Sequence, residues 1–423
     1  MSPLAREAET NEADVLIIGG GPAGSMAGIA LARRGVRARL LDRHRFPRDK
    51  PCGGGIRWSV LRRFPDLAPY LAETVPLHEI RRVIMESPSR ATVCAESEDP
   101  LYLTLRRVDF DAALLQRART VGVDVIEGAR VTDVHVSPGD VLVRCIDGRE
   151  FRARILIGAD GVNSVVARAT GLGDGVGDDR LAIDTMEETP RDELWMKDPE
   201  SLYVAYGYQG YAGYGYVFPK KHHVDAGVGF LVSFYKRKID ASPARCHARF
   251  LEDARARGVV MGRSNPDNVK AYRLPLGGPL SRTYADRVLL CGDAGGFVNA
   301  YTGEGIYFAM VTGVHAGETA AIALHRGDTS ARTLSEYERR WRAEIGEELG
   351  DSVRIQRRLF ANPALADRVI RAAAVDRKLC RLFARIALGE ESLRRRKLTL
   401  VWRFALASLR VRLRQRTARA ERS

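Results

Sequence analysis

Asp14-Val15-Leu16-Ile17-Ile18-Gly19-Gly20-Gly21-Pro22-Ala23-Gly24 is the stretch that decides the fold. Asp14–Ile18 is short, apolar and β-branched, which reads as a buried strand. Pro22 to Arg34 reads as a helix closed by Gly35, and Arg37–Asp42 as a second strand. A strand, a turn, a helix and a strand in that order predict a parallel sheet at the start of an α/β chain. Gly19, Gly21 and Gly24 fit G-x-G-x-x-G, and Gly28 adds a fourth small position. Gly19 is expected to make the tight turn and Gly21 to let the backbone approach a pyrophosphate. Gly24, beside Ala23, is expected to allow close packing of helix on strand. The helix N-terminus offers amide donors to an anion. Asp42 ends the second strand 23 residues after Gly19, where a carboxylate meets a ribose hydroxyl, and Arg43 follows it.

Two later glycine segments say which dinucleotide is held. Gly158-Ala159-Asp160-Gly161 follows a strand, with Ser164 and Arg168 beyond it. Cys291-Gly292-Asp293-Ala294-Gly295-Gly296 follows another strand, and Thr302-Gly303-Glu304-Gly305 precedes a helix that opens at Ile306. A carboxylate at such a strand end can hold a ribityl hydroxyl. The positive end of a helix starting near Gly305 suits the pyrimidine edge of a reduced, anionic flavin.

Together with Arg107-Val108-Asp109-Phe110-Asp111, an R-x-x-F-D segment, these motifs resemble the flavoprotein family typified by aromatic hydroxylases, over roughly residues 14–330. The resemblance implies FAD as cofactor, with Arg107, Asp160 and Asp293 contacting or positioning it. It also implies an α/β architecture: a Rossmann-like FAD-binding domain, a mixed β-sheet substrate domain (aromatic-hydroxylase-like) and a C-terminal helical region. The expected boundaries are a disordered leader over 1–13 and an FAD-binding domain from 14–75, 101–180 and 276–330. A substrate domain with an antiparallel sheet is expected from 76–100 and 181–275, and helices over 331–423.

Lys50-Pro51-Cys52-Gly53-Gly54-Gly55 resembles the K-x-C-G-G-G stretch of geranylgeranyl reductases. Gly213-Tyr214-Gly215-Tyr216-Val217-Phe218-Pro219-Lys220 resembles their Y-x-W-x-F-P segment, with Tyr216 where Trp is usual. On these residues the chain is identified as a member of that family. The resemblance implies reduction of C=C bonds in a polyprenyl (geranylgeranyl-type) chain on a lipid, quinone or pigment precursor. The reductant would be NAD(P)H or a reduced electron carrier. Cys52, Gly53 and Gly54 then belong beside the flavin, and Tyr214, Tyr216, Phe218 and Pro219 with the substrate. Cys52, Tyr214 and Tyr216 are the catalytic candidates.

An isolated alkene needs hydride at one carbon and a proton at the other, in a dry, apolar site. Tyr214, Tyr216 and Phe218 alternate on a strand and so share a face. They can line a tunnel and face a cationic transition state; the plainer reading is a sheet core facing helices. Cys52 reads either as a proton relay or as a small packed residue in a turn. His222 and His223 fall in an expected surface hairpin. A monooxygenase or halogenase of the same fold stays the alternative, although the W-x-W-x-I-P segment of halogenases is not found.

Composition bounds the partners. The chain has 423 residues, 45% hydrophobic, which excludes a disordered or fibrous protein. Its six cysteines form no CxxC pair, against a zinc site, a disulfide framework or an iron–sulfur cluster. No signal peptide and no run of about 18 apolar residues is visible, so a cytoplasmic location is expected. The net charge is +14, and Arg381–Ser423 supplies +10 of it, thirteen Arg or Lys against three acids. Leu398, Trp402, Ala405, Leu409 and Leu413 follow helical spacing, with Arg396, Arg403, Arg410 and Arg414 on another face. A basic amphipathic helix over 394–416 is expected, lying on an anionic membrane or packed on the protein's own body. No nucleic-acid reader motif accompanies the charge.

Overall fold

The computed structural model describes residues 12–173 and 176–420, with side chains described as far as Leu413. Residues 1–11 of the expected leader lie outside the described residues. Glu12 and Ala13 already belong to the first strand. The described chain divides into two compact units: residues up to Lys50 with Arg107–Gly177 and Leu274–Leu349, and Pro51–Arg106 with Asp178–Arg273 and residues from Gly350 onward.

An eight-stranded sheet forms the first unit. Glu12–Ile18 lies between Ala38–Asp42 and Glu150–Gly158 and runs parallel to both. Asp124–Glu127 extends one side, and Val288–Leu290 pairs in parallel with the end of Glu150–Gly158. Val15, Leu16 and Ile17 are fully buried: Ile17 lies against Gly24 and Gly28 of the helix Pro22–Ala32, and Leu16 in a core with Val134, Val141, Val143 and Val166, and a strand covered on both faces needs an unbroken apolar run. Pro22–Ala32 packs against Ile306–His325 at very short range. A Cβ on Gly313 would stand 2.2 Å from the carbonyl oxygen of Ala23, and one on Gly317 2.5 Å from that of Ala27. The expected strand, helix and second strand are present with ends moved by one or two residues, the helix closing at Ala32 rather than Arg34.

A seven-stranded sheet forms the second unit, in the order Val269–Pro275, Leu181–Pro190, His223–Leu231, Gly213–Pro219, Ser201–Tyr206, Arg82–Glu86, Thr92–Glu96. It is antiparallel except where Ser201–Tyr206 runs parallel to Arg82–Glu86. One face packs on the helix Pro243–Ala256 through Cys246, Phe250, Leu251 and Ala254, which meet Val217, Val224, Ala226 and Val228. This helix and Val232–Lys238 interrupt the stretch expected to be all strand.

The compact units divide at other points than the boundaries expected from sequence. Gly55–Arg57 pairs with Tyr102–Thr104, which also pairs with His78–Ile80. That small sheet holds 51–75 and 101–106 in the second unit. The helices after Gly350 fall there too, because Ala373 and Cys380 pack on Ala95.

Candidate functional site

In the first unit three glycine turns converge at the C-terminal ends of neighbouring strands. Gly19 sits at φ +106°, and a Cβ there would be 2.3 Å from the carbonyl oxygen of Ala159. Only glycine takes both that angle and that approach. A Cβ on Gly24 would lie 1.9 Å from the Gly19 oxygen, so the helix starts hard against its own turn. The third turn joins through Gly292, whose Cβ would meet Ala23 at 3.0 Å, and through the Cys291 amide, which donates to Gly158 O at 2.9 Å. Gly21 differs: the nearest atom to a Cβ there is Arg48 Nη2 at 3.6 Å. The outer face of the turn is open, and no side chain caps the helix Pro22–Ala32 that follows. Its first amides are free for an anion.

The charges around this turn are closely paired. Asp111 is fully buried; Arg107 donates to it twice at 2.7 Å, and Arg48 Nη2 approaches at 2.9 Å. Despite burial, the Arg107 guanidinium and then Arg48 hold the Asp111 carboxyl below the usual carboxylate range. Arg48 Nη1 is buried and has no hydrogen-bond partner among the described residues. Asp42 accepts the Gly20 amide at 2.6 Å and the His44 amide at 2.7 Å, which fixes its carboxylate while leaving acceptor capacity. Arg43 is exposed and donates to His44. Asp160 takes the Ser164 hydroxyl and the Val165 amide, both at 2.6 Å, so it caps the short helix Val165–Ala169. Burial pushes the Asp160 carboxyl up against those donors. Asp293 lies 3.3 Å from Lys50 Nζ. Gly303 has φ +74°, and Gly305 precedes Ile306 with no side-chain cap on that helix either.

An FAD fits these residues. The open Gly21 turn, the uncapped helix start and the orphaned Arg48 Nη1 together form a positive, dry cradle of the kind a pyrophosphate needs. Arg48 has no motif around it, and its proximity to Gly21 is created by the fold.

The second unit carries the other candidates. On the sheet face opposite the helix Pro243–Ala256, strand alternation aligns Tyr206, Tyr214, Tyr216 and Phe218. Their rings follow one another at centroid distances of 5.8, 6.2 and 4.8 Å, with Met186 and Val204 beside them. Gly53 lies on this ladder: its Cβ would meet Phe218 at 3.0 Å and Tyr216 at 3.2 Å. Gly54 takes φ +70° under the Leu105 carbonyl, and its amide donates to Cys52 Sγ at 3.4 Å. Cys52, Gly53 and Gly54 thus belong to the unit of the aromatic face, not to that of the other expected cofactor residues. Thr104 Oγ1 holds the Pro219 carbonyl at 2.5 Å. His222 is exposed, and His223 opens the next strand half-buried.

Three carboxylates share that face. Lys220, fully buried, bonds Asp225 at 3.0 Å and Glu188 at 2.5 Å, and Arg106 also bonds Glu188 at 2.9 Å. Among the described residues, Asp184 accepts the Tyr216 hydroxyl, at 2.9 Å, and no other side chain. Asp184 is half-buried, and burial lifts its carboxyl to about 7. Nothing in Leu181–Pro190 distinguishes Asp184 by sequence from the other polar residues of that strand.

The C-terminal helix Leu393–Ala420 has two apolar faces. Leu393, Leu400, Phe404 and Ala407 pack against Ala372, Leu379 and Ile386. Leu398, Val401, Trp402, Leu409 and Leu413 remain exposed, Leu398 by 85% and Trp402 by 61%. The expected stripe is there, and the helix also packs on the body, which adds a second apolar face to the one expected. Arg403 pairs with Asp376 at 3.0 Å, while the side chains of Arg414 and Arg416 lie outside the described residues. Among the described residues, no helix is long and apolar enough to cross a membrane.

Convergent glycine turns on a parallel sheet, joined to a large antiparallel sheet, define the class: an FAD-dependent flavoprotein of the aromatic-hydroxylase fold. Residues 12–351 match the FAD binding domain family. The fold is shared with the geranylgeranyl bacteriochlorophyll reductase-like protein of Thermoplasma acidophilum, at TM-score 0.78 and 20% identity, covering 92% of this chain and 99% of that one. It is shared at TM-score 0.63 and 21% identity with the flavin-dependent halogenase CmlS, covering 81% of this chain and 63% of that one. The digeranylgeranylglycerophospholipid reductase 1 of Methanopyrus kandleri is 33% identical over 344 residues, 79% of this chain and 87% of the relative. That of Methanococcoides burtonii is 28% identical over 358 residues, 82% and 84%. The chain belongs to the geranylgeranyl reductase family and is an FAD-dependent oxidoreductase.

Proposed function

We propose that the protein saturates C=C bonds of geranylgeranyl-type chains carried on a lipid, quinone or pigment precursor. The observation that carries this reading is the aromatic face Tyr206–Tyr214–Tyr216–Phe218, an apolar wall with one proton-bearing pair set into it. A polyprenyl chain offers only apolar area and π electrons, and such a wall supplies matching area and negative ring faces.

FAD, once reduced by NAD(P)H or a reduced carrier, supplies hydride chemistry. Gly19, Gly21, Ala23 and Gly24 with Arg48 would hold its pyrophosphate, and Asp42 with Arg43 its ribose. Gly292, Asp293, Gly303, Gly305 and Ile306 would take the ribityl chain and ring edge. Arg107 acts through Asp111 by fixing Arg48, and Asp160 shapes the turn it caps. Tyr214, Phe218 and Pro219 exclude water from the alkene, and Cys52 with Gly53 and Gly54 closes that face.

The exposed stripe Leu398–Trp402–Leu409–Leu413 lies between arginines on both flanks, which suits an anionic lipid surface where such substrates reside. Peripheral docking on the cytoplasmic membrane face follows from that charge complementarity.

The test is anaerobic. Dithionite-reduced protein mixed with a geranylgeranyl lipid gives products heavier by a pair of hydrogens for each bond reduced. Turnover that requires O₂ and inserts oxygen sinks the reading. Replacing Leu398, Trp402 and Leu409 by Ser weakens sedimentation with anionic vesicles while leaving neutral vesicles unaffected. Unchanged sedimentation removes the membrane assignment.

A further inference from the structure

The second unit's sheet face pairs Tyr216, already a candidate from its motif, with Asp184, which no sequence motif singled out. Three carboxylates stand in similar places on it with different partners. Glu188 and Asp225 are tied to the buried ammonium of Lys220, which they keep charged; despite burial, Lys220 and Arg106 hold the Glu188 carboxyl down, while burial pushes the Asp225 carboxyl up in spite of Lys220. No cation bonds Asp184 among the described residues; its partner is the phenol of Tyr216.

The backbone is shaped to allow that bond. On the strand His223–Leu231, Gly227 lies opposite Tyr216 and Gly229 opposite Asp184. A Cβ on Gly227 would be 2.4 Å from Tyr216 Oη and 2.6 Å from the carbonyl oxygen of Thr185. A Cβ on Gly229 would be 3.0 Å from Asp184 Oδ1. The two glycines form a trough in which the tyrosine reaches across a strand to the carboxyl. The trough opens onto the face carrying Tyr214, Phe218 and Met186.

We infer that Tyr216 and Asp184 deliver the proton of the alkene reduction, Tyr216 touching the substrate and Asp184 acting through it. The inference rests on the reductase reading above. The alkene π pair forms a C–H bond at the less substituted carbon as the Tyr216 O–H bond breaks. For this the hydrogen bond of the pair turns round: the Tyr216 O–H swings from Asp184 to the alkene, protonated Asp184 donates to Tyr216 Oη, and the Asp184 O–H bond breaks as its proton moves there. The tertiary carbon, with developing positive charge, accepts the hydride, whose source is the reduced cofactor. Asp184 is left as a carboxylate and regains a proton from solvent, to which it keeps access.

Protonation states agree with these roles. Asp184 at about 7 holds its proton at and below neutrality, so it can donate. Burial, then Asp184 and Asp225, push the Tyr216 phenol well above its ordinary range, so it stays protonated between turnovers. Cys52 and Asp225 are the other titratable groups whose charge reaches Tyr216, and Glu188 and Lys220 lie along the same face.

The test uses the FAD-loaded protein and two readouts. The first is infrared spectroscopy without lipid. A protonated-carboxyl band present at about pH 6 and lost by about pH 8 is expected in the wild type and absent from Asp184→Asn. The second is single-turnover reoxidation of the reduced protein by a geranylgeranyl lipid. Tyr216→Phe, which keeps ring and packing, is expected to slow reoxidation about 100- to 10,000-fold with lipid affinity unchanged. In the wild type the rate falls as pH rises through about 7, and Asp184→Asn removes that dependence. A band that survives in Asp184→Asn, an unchanged limb in that variant, or a Tyr216→Phe protein as fast as wild type overturns the pair while leaving the reductase reading intact. Wild-type protein that is never reoxidised by the lipid overturns the reductase reading and the pair with it.

Discussion

The two units differ in what their polar residues leave over. In the first, every carboxylate near the glycine turns is tied: Asp42 and Asp160 to amides, Asp111 to two guanidiniums, Asp293 to Lys50. What remains is a positive donor, Arg48 Nη1, beside an open turn and an uncapped helix. In the second, Lys220 and Arg106 bond two of three carboxylates, although Asp225 Oδ1 stays buried without a hydrogen-bond partner among the described residues, and the third carboxyl, Asp184, is bonded there by a phenol, Tyr216. One surplus calls for an anion to be bound, the other for a proton to be given. A buried polar group left without a full partner is expensive, so such residues mark places where a ligand or a reaction completes the set.

The strongest way to break this comparison is to remove a tie from the first unit. Asp111→Ala leaves Arg107 and Arg48 buried around a missing charge, and losing one member of such a cluster costs about 3–5 kcal/mol. Denaturant unfolding is expected to show that loss, together with loss of bound flavin. A variant of wild-type stability refutes the claim that Asp111 balances both guanidiniums. The wild type carries the opposite signature in acid. The Asp111 pKa is depressed on folding, so its contribution is present above the unfolded carboxylate range and disappears as pH falls below it.

The next effect is smaller and more specific. Arg48→Met keeps the length of the stem but removes the guanidinium that lies over the Phe46 ring, pairs with Asp111 and carries the orphaned donor. A hydrogen bond from a charged group contributes about 1.5–3 kcal/mol, so FAD is expected to bind at least tenfold more weakly. Flavin titration at rising salt checks it: the wild type loses affinity with salt more steeply than the variant. Equal affinity in the two proteins places the pyrophosphate elsewhere.

What could be read from the sequence follows the same division. The glycine turns are legible because their requirement is local: a positive φ at Gly19, a closed approach at Gly24, a strand before and a helix after. Arg48 and Asp184 are not, because each gains its meaning from a residue brought close only by folding, Asp111 for one and Tyr216 for the other. The aromatic alternation predicted a shared face, and the face exists, but the residue that bonds Tyr216 lies two strands away across Gly227. The last helix shows the converse. Its exposed stripe was readable from spacing, while Leu393, Leu400 and Ala407, seven residues apart, form a second face that the charge pattern obscured.

The smallest effect tests the second unit's surplus through stability alone. Asp184 has a folded pKa of about 7, against about 3.9 in an unfolded chain. Between those values the folded state binds the proton and the unfolded state does not. The stabilisation from Asp184 is therefore complete below about pH 4 and is lost as pH rises through about 7. Above that, the wild type folds around an ionised carboxyl with no cation to receive it. Asp184→Asn does not titrate, so the variant is expected to gain on the wild type as pH climbs from about 4 to about 8. Partial solvent access to the carboxyl limits the gain to about 1 kcal/mol. Paired denaturation curves across that range measure it. Curves that stay parallel mean that Asp184 is ionised throughout, and a carboxylate already ionised at neutral pH has no proton to pass to Tyr216.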